Sequence, residues 1–234
     1  MFKKILDYLS IKKRKYLYKK SSYSFNGVDL LVNYLFKDYN KGIYVDVGAQ
    51  HPISNNNTFL LFERGWSGVN IDLDKENINL FKISRPKDFN FNYAISSNEG
   101  KKKLFFYHNK SPINTLDEKV SKYQKAKVNK IKEINVLSLN KALSFTNYEK
   151  INLLNVDVEG HELEVLKGFD FYKYKPEVIV VEFLDLKMKK LELKNNVLSN
   201  ITNSNIYKYL TGKNYQFVNW LHGDLVFVSN DFRD

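Results

Sequence analysis

The 234-residue chain is 43% hydrophobic and 15% aromatic, which suits one folded α/β domain and argues against disorder. Its formal net charge is +11, and it has no cysteine, which excludes disulfides, a thiol nucleophile and a thiolate metal site. No apolar run approaches the roughly 18 residues of a membrane-spanning helix, so a soluble protein is expected, and the lack of cysteine fits a reducing, cytoplasmic setting.

Residues 1–20 hold eight Lys or Arg against one acid, Asp7. Within them Phe2, Ile5, Leu6 and Leu9 fall at i, i+3, i+4 and i+7, one face of a helix. The favoured reading is a terminal helix packed on the domain with its charges solvated. The alternative is a basic amphipathic helix held at an anionic membrane surface. Residues 1–22 are therefore set apart as a basic arm, and residues 23–234 as one domain.

That domain alternates strand and helix. Gly42 precedes a buried strand over 43–47, and a helix over 55–64 follows, with Phe59, Leu60 and Phe62 inward and Gly65 ending it. A second strand covers 68–72, a helix 75–83, and a third strand 89–96. Residues 97–136 read as an insertion or mobile segment near a site, with a strand over 101–107 and a polar, lysine-rich stretch over 111–132. The pattern returns with a strand at 151–157, a helix at 162–167 closed by Gly168, and the most apolar strand of all at 177–183. A looser helix over 204–210 leads to strands 215–220 and 224–229, joined by Leu221-His222-Gly223.

This order predicts a mostly parallel seven-stranded sheet, helices on both faces, and a C-terminal antiparallel hairpin. Ligands of such sheets bind beyond the carboxyl ends of the strands, where strand order reverses. Asp46, Asp72, Asp157 and Glu182 are thus expected neighbours, although they are far apart in sequence.

Two stretches carry chemistry. In Val45-Asp46-Val47-Gly48-Ala49-Gln50-His51-Pro52, Gly48 marks a close backbone approach to a ligand or a turn without a Cβ. Neither a Gly-x-Gly-x-x-Gly turn nor a Gly-rich phosphate loop is present. Asp72, at the end of the second strand, suits the hydroxyls of a ribose, with Asp74 better placed to cap the helix that follows. A single glycine with acids at the ends of two strands points to a nucleoside without pyrophosphate, such as S-adenosylmethionine.

The second stretch is Asn155-Val156-Asp157-Val158-Glu159-Gly160-His161-Glu162. Its acids must repel one another unless a proton, cation or polar substrate sits among them. Helix-dipole effects account for Glu162 and Glu164 but not for Asp157 and Glu159. His51 and His222 are further acid/base candidates, His51 ranked first. Oxygen ligation of a metal by Asp157 with Glu159 or Glu182 is conceivable, but the spacing carries no metal assignment.

Together the blocks Gly42–Pro52, Ser54–Thr58, Gly65–Asp72, Arg85–Asn90, Ile113–Leu116, Val156–Gly168 and Pro176–Phe183 resemble the FkbM family of S-adenosylmethionine-dependent methyltransferases. The resemblance implies a Rossmann-like class I methyltransferase fold. It implies that Asp46, Gly48, Ala49 and Gln50 wrap the methionine part of the cofactor and that Asp72 holds the ribose. Thr58 and Leu73 join the cofactor residues, and Ala94 and Ile95 lie near adenine. Asp157, Glu159 and His161 would face the transferred methyl group or the acceptor. Leu73 stands where many relatives have proline, and Asn155 where a lysine is frequent, so no role is carried onto Asn155.

The implied activity is O-methylation of a sugar hydroxyl in a polysaccharide, glycan or glycolipid, with His51 as the base and Glu159 or Asp157 as the alternative. A nucleic-acid 2′-O methyltransferase is the runner-up, prompted by the net charge. It is disfavoured because the acids of the fourth strand's end would repel phosphates. A non-catalytic basic surface-binding module is the reading outside enzymology. The acceptor sugar and the oligomeric state are not legible.

Overall fold

The computed structural model describes residues 2–17, 21–183 and 197–233. Ten strands are present among them: β1 (Ile43–Val47), β2 (Ser67–Ile71), β3 (Phe89–Phe91), β4 (Ala94–Ser96), β5 (Gly100–Phe106), β6 (Lys130–Ser138), β7 (Leu153–Val156), β8 (Val178–Glu182), β9 (Tyr215–Leu221) and β10 (Asp224–Ser229). Seven of them form one sheet in the order β3-β2-β1-β7-β8-β10-β9. Neighbours from β3 to β8 run parallel, whereas β10 lies antiparallel between β8 and β9. The protein is thus α/β with a mostly parallel sheet. Strand order reverses between β1 and β7, the place where such sheets bind ligands.

The expected third strand is two elements. β3 joins the main sheet beside β2, but the chain leaves it after Phe91, and Asn92 donates from Nδ2 to the Asp72 carbonyl at 3.0 Å. β4 then pairs with β6 in a second, three-stranded sheet, β4-β6-β5. The 97–136 segment is therefore built mainly on the β5–β6 hairpin, paired from Gly100–Val136 to Phe106–Lys130. Its polar stretch carries a helix at Glu118–Tyr123, capped by Asp117, and a backbone pairing of Thr115 with Phe105.

Alternation along β1 divides the core. Val45 and Val47 join the cluster on one face with Val69, Ile71, Leu154, Val156, Ile179 and Val181. Tyr44 points to the other face, with Leu153, Val178, Val180 and Val226, covered by the helix Val28–Leu35. On that second face Asp46 sits level with Asn70 of β2 and Asn155 of β7. Three buried polar side chains at one level of a sheet need partners, because an unpaired buried polar group costs on the order of 1–3 kcal/mol.

Arg85 serves that layer. It is fully buried, at 0% exposure, where the helix Lys75–Ser84 ends. Nη1 donates to Thr58 Oγ1 (2.9 Å), Tyr44 Oη (3.1 Å) and Asn70 Oδ1 (3.3 Å), and Nη2 donates to Asn56 Oδ1 (2.9 Å) and the Pro52 carbonyl. Its guanidinium lies 4.9 Å from the Phe62 ring centroid, 5.1 Å from Phe81 and 5.6 Å from Phe59. This corrects the expected packing of the helix before β2. That helix runs only from Phe59 to Glu63, Leu61 is its buried residue, and Phe59 and Phe62 serve the guanidinium. Asp46 and Asp88 balance the charge at one remove: Asp46 accepts from Thr58 and Asn56, and Asp88 from Tyr44 and Asn70.

Residues Phe2–Leu17 form a helix, but its described side chains do not pack on the domain as the favoured reading expected. Ile5, Leu6 and Leu9 are each about half exposed, at 48%, 50% and 54%.

Replacing Arg85 strands two carboxylates and several amides in a dry layer. Arg85→Met is expected to cost about 3–5 kcal/mol in urea unfolding. Arg85→Lys should rescue little, since an ammonium cannot make the same fork. A loss below about 1 kcal/mol in both would contradict the assignment.

Candidate active site

The cleft floor is made where β1 and β7 end. Gly48 has φ +84°, and a Cβ there would lie 1.6 Å from the Asp157 carbonyl oxygen. The close approach read from the sequence is therefore chiefly to the Asp157 backbone. Gly48 and Ala49 both donate their N–H to the Ile71 carbonyl (2.9 and 3.1 Å), and Asp157 donates its own to Val47 (2.9 Å). The β1 loop is thereby clamped across the ends of β2 and β7.

Asp72 finishes β2 and is only 8% exposed. It accepts from Gln50 N (2.9 Å), Asp74 N (2.6 Å) and Asn77 Nδ2 (3.3 Å). Burial outweighs these donors and pushes its carboxyl up to about 6. Asp74, as the spacing predicts, caps the following helix by accepting from Glu76 N at 2.8 Å.

Above this floor opens a cleft of about 310 Å³. Gln50, Asp72, Leu73 and Asn77 line it together with the acids Glu159, Glu182 and Asp224 and with His222, Phe25, Asn26 and Asn57. A small slot of about 40 Å³ adjoins it, sharing Gly48, Asp72, Leu73 and Val158, and lined by Ile71, Tyr93, Ala94, Ile95, Leu116 and His161. Among the described residues no Lys or Arg lines either space. In a chain of net charge +11 this is a local inversion of sign.

The acids are crowded. Carboxylate oxygens of Asp157, Glu159 and Glu182 lie within 4.8 Å of one another, close enough to share a proton or face a cation. Asp224 is directly opposite Glu182 across the β8–β10 ladder, a like-charge pair that strand pairing alone disfavours. Beneath them Glu162, 2% exposed, accepts from Val158 N (3.1 Å) and Gly160 N (2.9 Å). It holds a turn in which Glu159 (φ +56°) and Gly160 (φ +95°) are both left-handed, and Thr115 Oγ1 fastens the Glu159 carbonyl at 2.6 Å. That geometry aims Glu159 into the cleft rather than along the helix.

Desolvation first and neighbouring acids second push Asp157 and Glu182 well above the usual carboxylate range. The Asp157 and Glu182 carboxyls lie within 4.8 Å of each other, and a proton held by either one relieves their repulsion. Burial, with Glu162 beside it, raises Glu159 to about 7. Burial likewise raises Asp224.

Gly48, Gln50, Leu73, Asp72, Asp157, Glu159 and His222 line the cleft, and Ala94 and Ile95 line the slot. Asp46, Thr58, Ala49 and His51 stand elsewhere, whereas His161 lines the slot. Asp46 is 1% exposed, its oxygens taken by Asn155 (2.8 Å), Thr58 (2.9 Å) and Asn56 (3.1 Å), so it shapes the loop from below. Thr58 is 0% exposed, between Asp46 and Arg85, and Ala49 is buried away from the cleft. His51 turns its Nδ1 back onto its own loop, accepting from Ile53 N and Ser54 N, and does not line the cleft. His161 pairs through Nε2 with Ser96 Oγ at 3.0 Å beside the slot, and burial lowers its basicity. Neither histidine meets the carboxylate cluster.

The rim was not foreseen. Asp29, 1% exposed, gathers Ser22 Oγ, Tyr23 N and Ser24 Oγ, and so bends residues 22–27 across the cleft mouth. Asn26 Nδ2 then donates to Asp224 Oδ2 (2.7 Å), and Phe25 stands 5.3 Å from the His222 ring. Asn57 Nδ2 reaches Asn155 Oδ1 at 3.0 Å. Asp224, a carboxylate opening a strand after a glycine turn, is the partner in this group that carried a sequence signal.

A mostly parallel α/β sheet with an acidic cleft at its strand-order reversal is the class of domain defined so far. Residues 46–217 match the family described as the Methyltransferase FkbM domain, and the chain belongs to that family. No curated protein matches the sequence. A crystal structure of Methyltransferase FkbM from Methylobacillus flagellatus KT is similar at 13% identity and a TM-score of 0.47, over 81% of this chain and 44% of that one. The chain thus spans less than half the length of that protein.

The raised carboxyls set a pH dependence. Asp157, Glu159 and Glu182 bind protons more tightly folded than unfolded, so stability falls as pH rises from the ordinary carboxylate range through about 7 for Glu159. Glu182→Gln removes one of these charges. Its Tm at pH 8 is expected to rise by about 2–4 °C, with a smaller gain at pH 5. An equal change at both pH values would contradict the crowding.

Proposed function

We propose that this domain has a Rossmann-like class I methyltransferase fold and is an S-adenosylmethionine-dependent O-methyltransferase acting on a sugar hydroxyl in a polysaccharide, glycan or glycolipid. The observation that carries the cofactor assignment is the acidic cleft joined to an apolar slot. S-adenosylmethionine carries a sulfonium, an ammonium and a carboxylate at one end, a net positive charge, and a flat adenine at the other. The crowded carboxylates suit the first, and Leu73, Tyr93, Ala94 and Ile95 suit the second. Asp72, common to both spaces, is placed for the ribose hydroxyls between them.

When bound, the cofactor supplies a methyl group on a good leaving group. The protein's own tasks are to orient the acceptor, exclude water and take up the hydroxyl proton. Glu159 is the base in this reading: it faces the cleft, and a pKa near 7 leaves it able to accept a proton at neutral pH. This moves the role from His51, whose Nδ1 is committed to its own loop.

The residues along the cleft support a polyhydroxylated acceptor: Phe25, 74% exposed, offers a ring face for the C–H side of a pyranose, while Asn26 and Asp224 offer hydrogen-bond partners. The absence of Lys or Arg from the described lining argues against the nucleic-acid alternative, which needs cations for phosphate.

Three variants test this. Asp72→Asn is expected to weaken S-adenosylmethionine binding about tenfold or more. Glu159→Gln should lower kcat by roughly 100-fold with little change in cofactor binding. His51→Ala should stay within about twofold in kcat. Methyl transfer from labelled cofactor to oligosaccharides is the assay. A severe kcat loss in His51→Ala with none in Glu159→Gln would reverse the assignment, and transfer only to RNA would refute the acceptor class.

A further inference from the structure

We infer that the helix Phe2–Leu17 is a docking element for a bilayer containing anionic lipid, independent of the methyltransferase reading. Ile5, Leu6 and Leu9 cover roughly a 100° arc of one helical side. They are 48%, 50% and 54% exposed, so no part of the described domain covers them. An apolar face of that kind on a helix calls for a partner.

Charge decides among partners. Lys3, Lys4, Lys12, Lys13 and Arg14 are exposed on this helix, and Asp7 is its only acid. Lys12 and Lys13 follow Leu9 at i+3 and i+4, on the side where the apolar face would continue. A symmetric second copy would bring those like charges together. A nucleic acid would satisfy the lysines but leave Ile5, Leu6 and Leu9 in water. A lipid interface satisfies both: the apolar side chains enter the acyl boundary, and the lysine stems lie along it with ammonium groups at the phosphates. Each basic group near an anionic surface adds to the attraction, and the attraction falls with salt.

Docking by this helix would hold the domain against a surface where an amphiphilic acceptor resides. Such an acceptor belongs to the same chemical class as the glycolipid considered above.

The test is co-sedimentation of the full chain with vesicles. Binding is expected to phosphatidylcholine vesicles carrying phosphatidylglycerol, not to phosphatidylcholine alone, and to weaken at high salt. The pair Leu6→Asp and Leu9→Asp, and separately Lys12→Glu with Lys13→Glu, should each cut the partition coefficient about tenfold or more. Circular dichroism and the Tm of these variants should match the wild type, which shows that the domain remains folded. Three results would overturn the proposal. One is no preference for anionic vesicles. Another is vesicle binding unchanged in both variant pairs. The third is a dimer in light scattering that the Leu6 and Leu9 changes abolish while vesicle binding is absent.

Discussion

The site depends on a cation that never touches it. Arg85 lies under the β1 loop, and every polar group it serves is a point at which that loop, or the sheet below it, is fixed. Pro52, Asn56 and Thr58 belong to the loop; Tyr44 and Asn70 belong to β1 and β2. Through Thr58 and Asn56 the charge reaches Asp46, which in turn accepts from Asn155 on β7. Three strands and a loop are tied at one level by one guanidinium. A buried ion of this kind is weak support for stability in itself, because its desolvation offsets much of its attraction. Its effect is positional: the bonds from Nη1 and Nη2 fix the loop that carries Gly48 and Gln50 over the ends of β2 and β7 against the sheet below.

The cleft above works in the opposite sense. Below, opposite charges are matched at one remove. Above, Asp157, Glu159, Glu182 and Asp224 stand together with no described cation among them. Strand pairing places Asp224 against Glu182, and a left-handed turn held by Glu162 swings Glu159 in with them. Such crowding disfavours the ionised, empty site, and a cationic ligand relieves it. Glu159, raised to about 7 by burial and Glu162, is also a group able to take a proton from an acceptor.

Much of the frame was legible in the sequence because it rests on local pattern. The apolar run at 177–183 became β8, the helix Glu162–Lys167 came out as read, and Asp74 caps as its spacing implied. What escaped depends on distant pairing. The strand over 89–96 alternates without a break, yet it divides because Asp72 and Asn92 close the main sheet at Phe91. Asp46 looked like a ligand residue because it lies at the end of the first strand and the family resemblance implies a cofactor role there. Alternation along β1 turns it to the covered face, and only the positions of Asn70 and Asn155 on neighbouring strands reveal a buried polar layer. His51 resembled a base by its place in the loop, but its ring closes a local turn. The rim strap at 22–27 left no periodic signal, since a buried aspartate and serine hydroxyls shape it rather than an apolar stripe.

Entry of a cationic nucleoside cofactor into the acidic cleft can be measured directly. S-adenosylmethionine is titrated calorimetrically at pH 7 in buffers of contrasting ionisation enthalpy, and the buffer dependence of the heat gives the protons exchanged on binding. Carboxyls raised by crowding should ionise as the cation arrives, so net proton release is predicted. Binding with proton uptake, binding with no exchange, or no binding by the folded protein would contradict the account.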